Sequence, residues 1–120
     1  MARDLRNLIQ LGSIVAEREF SFQRAGEPAR TVRIQVGAPV PDPQNPGNAL
    51  CPAVIQGFDR EEKLVLGGVD SLQALNFALI AVSSFLRSSA RQYAGTLTWL
   101  GHEDLGLQES LDGVISSRNP

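Results

Sequence analysis

Few residues in this chain of 120 carry groups able to do chemistry on a small molecule. His102 is the single histidine, and Glu103 and Asp104 follow it directly. A mononuclear metal site wants three or four ligands on rigid elements, and three consecutive loop residues do not converge easily on one ion. An exposed loop histidine and no metal are therefore expected. Cys51 is the single cysteine, so an intramolecular disulfide and a cysteine metal cluster are excluded. It stands in an apolar run, where a buried, inert thiol is the expectation; a nucleophilic role would need His102 beside it and an orienting group. No G-x-S-x-G motif occurs and no pair of carboxylates stands out. The expected catalytic residues and cofactors are accordingly none, and the chain reads as a non-enzyme.

Two further positions draw attention. Arg18 falls on the apolar face of an alternating stretch. Its stem is expected to pack inward while the guanidinium reaches helix-end carbonyls or a carboxylate, with Asp70 or an acid of the 102–104 loop as partner. A ligand-facing arginine is the other reading. In GGVDSLQALNFALIAVSSFL, residues 67–86, two glycines meet an Asp at the mouth of an apolar helix. A P-loop needs a lysine and a hydroxyl after its glycines, and the dinucleotide fingerprint needs G-x-G-x-x-G; neither is present. A carboxylate at the N-cap would also repel a phosphate. Asp70 and Gln73 instead have the spacing of a capping box. Asp70 can accept from the Gln73 amide while Gln73 reaches back to the amide at the cap. Both are structural residues of a strand-to-helix joint, with Gly67 and Gly68 easing the turn.

The elements around these residues follow from periodicity. Leu5, Leu8 and Ile9 predict a short helix over 3–11. From Ser13 the period becomes two, with Ile14, Ala16, Phe20 and Phe22 on one face. After a turn at Gly26 and Pro28, Val32, Ile34 and Val36 alternate again, so an antiparallel hairpin is predicted. Residues 37–49 hold four of the seven prolines and read as a surface loop unable to join a ladder. Residues 50–58 and 63–66 predict a third and a fourth strand around a charged tip, and TLTWL a fifth. A long helix is predicted from Asp70 to Gln92, ended by Gly95.

In that helix Leu72, Leu75, Ala78, Leu79, Val82, Phe85 and Leu86 form a stripe expected to cover the sheet. Phe77, Ile80 and Ser84 point elsewhere, and Arg87 and Arg91 continue that side as a polar rim. A second apolar patch implies burial by another segment or another chain. These five residues are the expected interaction surface.

G-V-D-S-L-Q-A-L-x-x-A-L, preceded by Ala16 and Arg18 and by Cys51, Val54 and Ile55, resembles a family of small bacterial domains of unknown function. The later T-W-L-G…L-G-L run suits it too, so the resemblance covers about residues 13–107. It implies a fold and a bacterial source, and no reaction.

The composition is 42% hydrophobic and 20% charged with a net charge of −2, which fits one globular domain. All cations except Lys63 are scattered arginines, so no electrostatic footprint for nucleic acid is present. Residues 69–86 contain Asp70, Gln73 and Asn76, which marks a buried helix and not a membrane span, and residues 1–19 lack the pattern of a secretory signal. A cytoplasmic protein is expected. The predicted fold is α+β, a four- or five-stranded antiparallel meander sheet with one long helix packed across one face. It forms a single domain over 1–120, with an N-terminal segment 1–12, a core 13–107 and a tail 108–120. The leading functional expectation is a non-enzymatic protein-interaction module. Its partner is another protein chain, as a homodimer or a cognate partner, and immunity-type neutralisation of a toxin is one possibility. The alternative is a small-molecule-binding domain or minor enzyme using a pocket near Arg18, His102 and Glu103.

Overall fold

A computed structural model describes residues 5–7 and 9–107. The first hairpin forms and Phe20 and Phe22 face inward as the alternation predicts, but Ile14 (43% exposed) and Ala16 stay outside the core and the register shifts between them. β1 (Ile14–Arg24) pairs antiparallel with β2 (Arg30–Gly37), setting Phe20 opposite Val32 and Arg18 opposite Ile34. On the solvent face the same register sets Glu19 against Arg33, 2.6 Å apart, and brings Gln35 to Glu17. β4 (Ala49–Gln56) pairs with β2, and β5 (Glu62–Gly68) pairs with β4.

The proline-rich stretch departs from its predicted role as plain loop. β3 (Val40–Pro41) joins the ladder, Val40 opposite Leu50 and Pro41 opposite Ala49. β3 continues β2 along the same edge of β4, but one residue out of step, so the extra residue is taken up as a bulge across 37–39. Pro39 lies in that unpaired stretch, where its missing N–H costs nothing. Residues 42–48 then turn around the buried Asp42 carboxylate, which accepts from the Gln44 amide at 2.9 Å and from Asn45 Nδ2 at 3.2 Å.

β6 (Gly95–Thr98) returns beside β1, antiparallel to it, with Phe22 opposite Leu97. Across the sheet the order is β5, β4, β2 with its extension β3, β1 and β6. The architecture is α+β: an antiparallel sheet with one helix packed across it. It differs from a simple meander in the placing of the last strand, carried by the helix to the far side of the first.

α1 (Ser71–Gln92) packs chiefly on β5 and β4, and its end reaches β6. Its buried line is Ala74, Ala78, Val82 and Leu86, each four residues from the next. Small residues at 74 and 78 let the helix approach closely: a Cβ on Gly68 would stand 2.5 Å from the Ala74 nitrogen. This approach corrects the predicted stripe. With Ala74 turned inward, Leu72 lies roughly 160° around the helix at ~100° per residue, and it is exposed. The helix ends at Tyr93, with Ala94 taking the left-handed conformation (φ 54°) expected of Gly95.

The core lies between α1 and the inner sheet face, where Phe20, Phe22, Val32, Ile34, Val36, Cys51, Ala53 and Ile55 are buried. Phe58 meets Phe22 edge-on at 5.1 Å and stacks on Tyr93 at 5.6 Å, closing the hairpin end. β4 is buried on its other face as well, through Leu50, Pro52 and Val54, with Val65 of β5 beside them. The N-terminal segment covers this outer face. In place of the predicted helix over 3–11 the described residues form one 3-10 turn, Leu5–Asn7, that packs on β5. Lys63 Nζ donates to the Ile9 carbonyl, and the Leu11 carbonyl comes up against Gly37. The tail expected over 108–120 lies outside the described residues, as do residues 1–4 and 8.

Candidate functional site

Arg18 is where the pattern breaks, and the structure gives it an occupation. β1 presents it on the inner face beyond the edge of α1, half-buried. The guanidinium lies over the Trp99 ring, 3.8 Å from its centroid. Nη1 donates to the Leu105 carbonyl at 3.0 Å and to the Gly106 carbonyl at 3.4 Å. Its partners are thus backbone carbonyls and an aromatic face, and not Asp70 or the 102–104 acids. Gly106 packs against the same indole: its φ is +64°, and a Cβ there would stand 2.4 Å from the Trp99 ring. Arg18, the T-W-L-G run and the L-G-L run therefore converge on one cluster that straps residues 99–107 to the sheet.

The other chemistry-bearing residues do not gather around it. His102 uses its backbone, pairing with Trp99 in both directions at 2.8 and 2.9 Å, while its imidazole is exposed. Asp104 accepts from the Gly106 amide at 2.9 Å, and Glu103 is exposed. Among the described residues no group of three or more His, Cys, Asp and Glu side chains could hold a metal ion. Cys51 is fully buried, its Sγ facing the Gly37 carbonyl at 3.4 Å, and burial pushes its pKa up to about 11. At neutral pH it is a protonated thiol without access to solvent. No helix among the described residues is long and apolar enough to cross a membrane.

The capping box forms as its spacing predicts, with one shift. Asp70 Oδ1 accepts from the Gln73 amide at 2.8 Å, and Gln73 Oε1 accepts from Val69, one residue before the cap. The helix N-terminus is thereby occupied by the chain's own carboxylate.

Of the residues expected to interact, Phe77, Ile80 and Arg87 are half-buried, and Ser84 and Arg91 are exposed. Around the helix all five lie roughly 140° or more from Val82 at ~100° per residue, and Arg87 and Arg91 also line the cleft toward β6. Sequence reasoning missed two openly exposed apolar residues at the start of α1. Val69 and Leu72 are 65% and 73% exposed. They border a mostly apolar groove of about 510 Å³ that Gln73, Leu75, Asn76 and Phe77 also line. The signal was available in the small residues Ala74 and Ala78. A helix seated closely on a sheet seats its small residues, and that rotation carries Leu72 outward. A second, more polar cleft of about 420 Å³ lies at the other end of α1, between Arg87, Ala90, Arg91, Thr96, Glu103 and Leu105.

No curated protein and no solved structure matches the chain. One family model does, over residues 16–109, a span that takes in Arg18, Cys51, the capped helix and the Trp99–Gly106 strap. The chain therefore belongs to the family described as a domain of unknown function (DUF6968).

Proposed function

We propose that this domain is a non-enzymatic protein-interaction module that docks another protein chain on α1. The observation that carries this reading is the exposure of Val69 and Leu72 beside an apolar groove at the start of α1, whose other large apolar residues are buried or half-buried. Each large apolar side chain moved from water into an interface contributes roughly 1.5–3 kcal/mol. The reading is supported by the occupations found for the reactive groups: Arg18 engages Trp99 and two carbonyls, and Cys51 is sealed in the core. The same engagement weighs against the alternative of a small-molecule pocket near Arg18, His102 and Glu103. A bacterial, cytoplasmic setting goes with this reading, and a single buried thiol suits a reducing compartment. Immunity-type binding of a cognate toxin is one form the interaction takes under it.

The test is Leu72→Asp combined with Val69→Asp. Both positions are exposed, so the fold is expected to keep its thermal melt while a binding partner is lost. Affinity capture from the native host and sedimentation of the purified protein are the readouts. The reading fails if the wild-type chain retains no partner and does not self-associate, or if the double variant retains the same partner equally well.

A further inference from the structure

The sheet is closed along one side of β1 and open along part of the other. β2 pairs with β1 over residues 14–22, whereas β6 reaches only residues 21–24. Among the described residues no strand and no backbone hydrogen bond meets the remaining side of residues 14–19. A strand directs the amide and carbonyl of every second residue to one side, so about three residues of this edge offer backbone groups to solvent. The stretch is exposed as well as unpaired: Ile14, Val15, Ala16, Glu17 and Glu19 are all exposed, and only Arg18 is half-buried under the strap. The other long edge differs. β5 is buried or half-buried at every residue except Gly67, against α1 and the 3-10 turn, and β6 is four residues long. An open strand edge is a template on which another chain can pair.

The side chains along the edge select the chain that fits. Val15, Glu17 and Glu19 share the outer face. Arg33 reaches Glu19 at 2.6 Å, and Glu17 receives only the neutral Gln35 amide, at 3.1 Å. Two carboxylates thus share one guanidinium, and one negative charge is left on this face. On the inner face, Ile14 and Ala16 lie outside the core and are apolar. A strand laid beside β1 sets its alternate side chains along these two rows, so basic residues suit the row of Glu17 and Glu19 and apolar residues suit the row of Ile14 and Ala16. A second copy of β1 suits neither. Antiparallel with full overlap, Glu17 meets Glu17; parallel and in register, Glu17 and Glu19 each meet their own counterpart, and like charges directly opposite are destabilising.

We propose that the open edge of β1 takes up an extended segment of another protein as an added strand, one in which basic residues alternate with apolar ones. The site is separate from α1 and does not depend on docking there. Main-chain hydrogen bonds supply the hold and the Glu17 row supplies the selectivity. The added strand spans only about 20 Å at ~3.3 Å per residue, so binding is weak and transient. Because Glu17 is exposed, it also falls with salt.

The probe is a blocked peptide of alternating lysine and valine, added to the isotope-labelled full chain and followed by amide NMR. In the free protein alternate amides of residues 14–19 are expected to exchange rapidly. The peptide is expected to shift and protect them while leaving Val69 and Leu72 unchanged. Glu17→Lys changes an exposed side chain, and it is expected to keep the thermal melt and weaken binding about three- to tenfold. Should that variant fail to fold, Glu17→Gln reads a smaller loss of the same sign. A peptide with glutamate in place of lysine is expected to bind about tenfold or more weakly. So is a lysine peptide with a central proline, which keeps the charge but interrupts the ladder. Edge amides already protected in the free chain overturn the proposal, because the chain then covers its own edge. It is equally overturned if the lysine peptide does not bind, or if the glutamate peptide, the proline peptide or the Glu17 variants bind as well. Shifts confined to Val69 and Leu72 remove the strand site and leave the reading of α1 standing.

Discussion

Replacing Arg18 with alanine removes three contacts at once: the 3.0 Å bond to the Leu105 carbonyl, the longer bond to Gly106 and the stack on Trp99. A hydrogen bond from a charged donor contributes about 1.5–3 kcal/mol, and a cation over an aromatic face about 0.5–2 kcal/mol. The site is half-buried and the contacts share one side chain, so they do not add in full. The expected net loss is about 2–3 kcal/mol, at the upper end of ordinary single substitutions. Arg18→Lys keeps the charge but loses the planar fork that reaches two carbonyls while stacking, and about half of that loss is expected. Urea unfolding followed by fluorescence suits the question, because Trp99 is the only tryptophan and sits in the contact itself. Its native emission is expected to shift red in Arg18→Ala even where the fold persists. A coupling cycle with Trp99→Leu isolates the stacking contribution. If Arg18→Ala stays within about 0.5 kcal/mol of the wild type with unchanged emission, Arg18 does not hold the 99–107 strap.

Gly106→Ala places a Cβ against the Trp99 ring in a left-handed backbone, and a loss of about 1–3 kcal/mol with the same red shift is expected in that assay. Asp70→Ala removes the helix cap and is expected to cost about 0.5–2 kcal/mol in a thermal melt, whereas Asp70→Asn, which keeps an acceptor, stays close to the wild type. Cys51 should react with a thiol reagent only after denaturant is added, and rapid labelling of the native protein would contradict its burial. Its folded-state pKa of about 11 lies above the ordinary value of 9.0, so its contribution is whole below pH 9 and is lost as the pH rises toward 11. Alkaline unfolding of the wild type should therefore be steeper over that window than that of Cys51→Ala, by up to about 3 kcal/mol at about 1.4 per pKa unit.

Much of the fold was legible because local rules and tertiary packing agree along most of the chain. The alternation gives the hairpin, with Phe20, Phe22, Val32, Ile34 and Val36 inward though not Ile14 or Ala16, and the Asp70–Gln73 spacing gives the start of α1. What was not legible depends on pairs distant in sequence. Val40 and Pro41 look like loop until β4 supplies Leu50 and Ala49 as partners. Leu72 fits the apolar stripe until the close approach of Ala74 to Gly68 rotates the helix. The partner of Arg18 could not be found among acids because it is a pair of carbonyls, which every residue carries and no residue type announces. For the candidate site, the angle sets Phe77, Ile80, Ser84, Arg87 and Arg91 away from Val82, but that Arg87 and Arg91 line a cleft with β6 emerges only from the fold. The exposure of Val69 and Leu72 needed the packed structure.

The N-terminal layer over the outer face of β4 and β5 bears on how the chain avoids sticking to itself. The described residues here join that face through half-buried Leu5, Ile9 and Leu11, one 3-10 turn and the Lys63 bond to Ile9, and none of them pairs in a ladder. Such a segment opens at a lower free energy than the strands beneath it. It also meets residues about 50 positions away in the chain, so it closes late in folding. While it is open, Leu50, Pro52, Val54 and Val65 form a row of apolar side chains on a flat strand surface, the kind of surface that recruits other chains. The described part of this segment thus shields an apolar strand surface. Removing the segment is expected to lower solubility and refolding yield well before it changes the sheet.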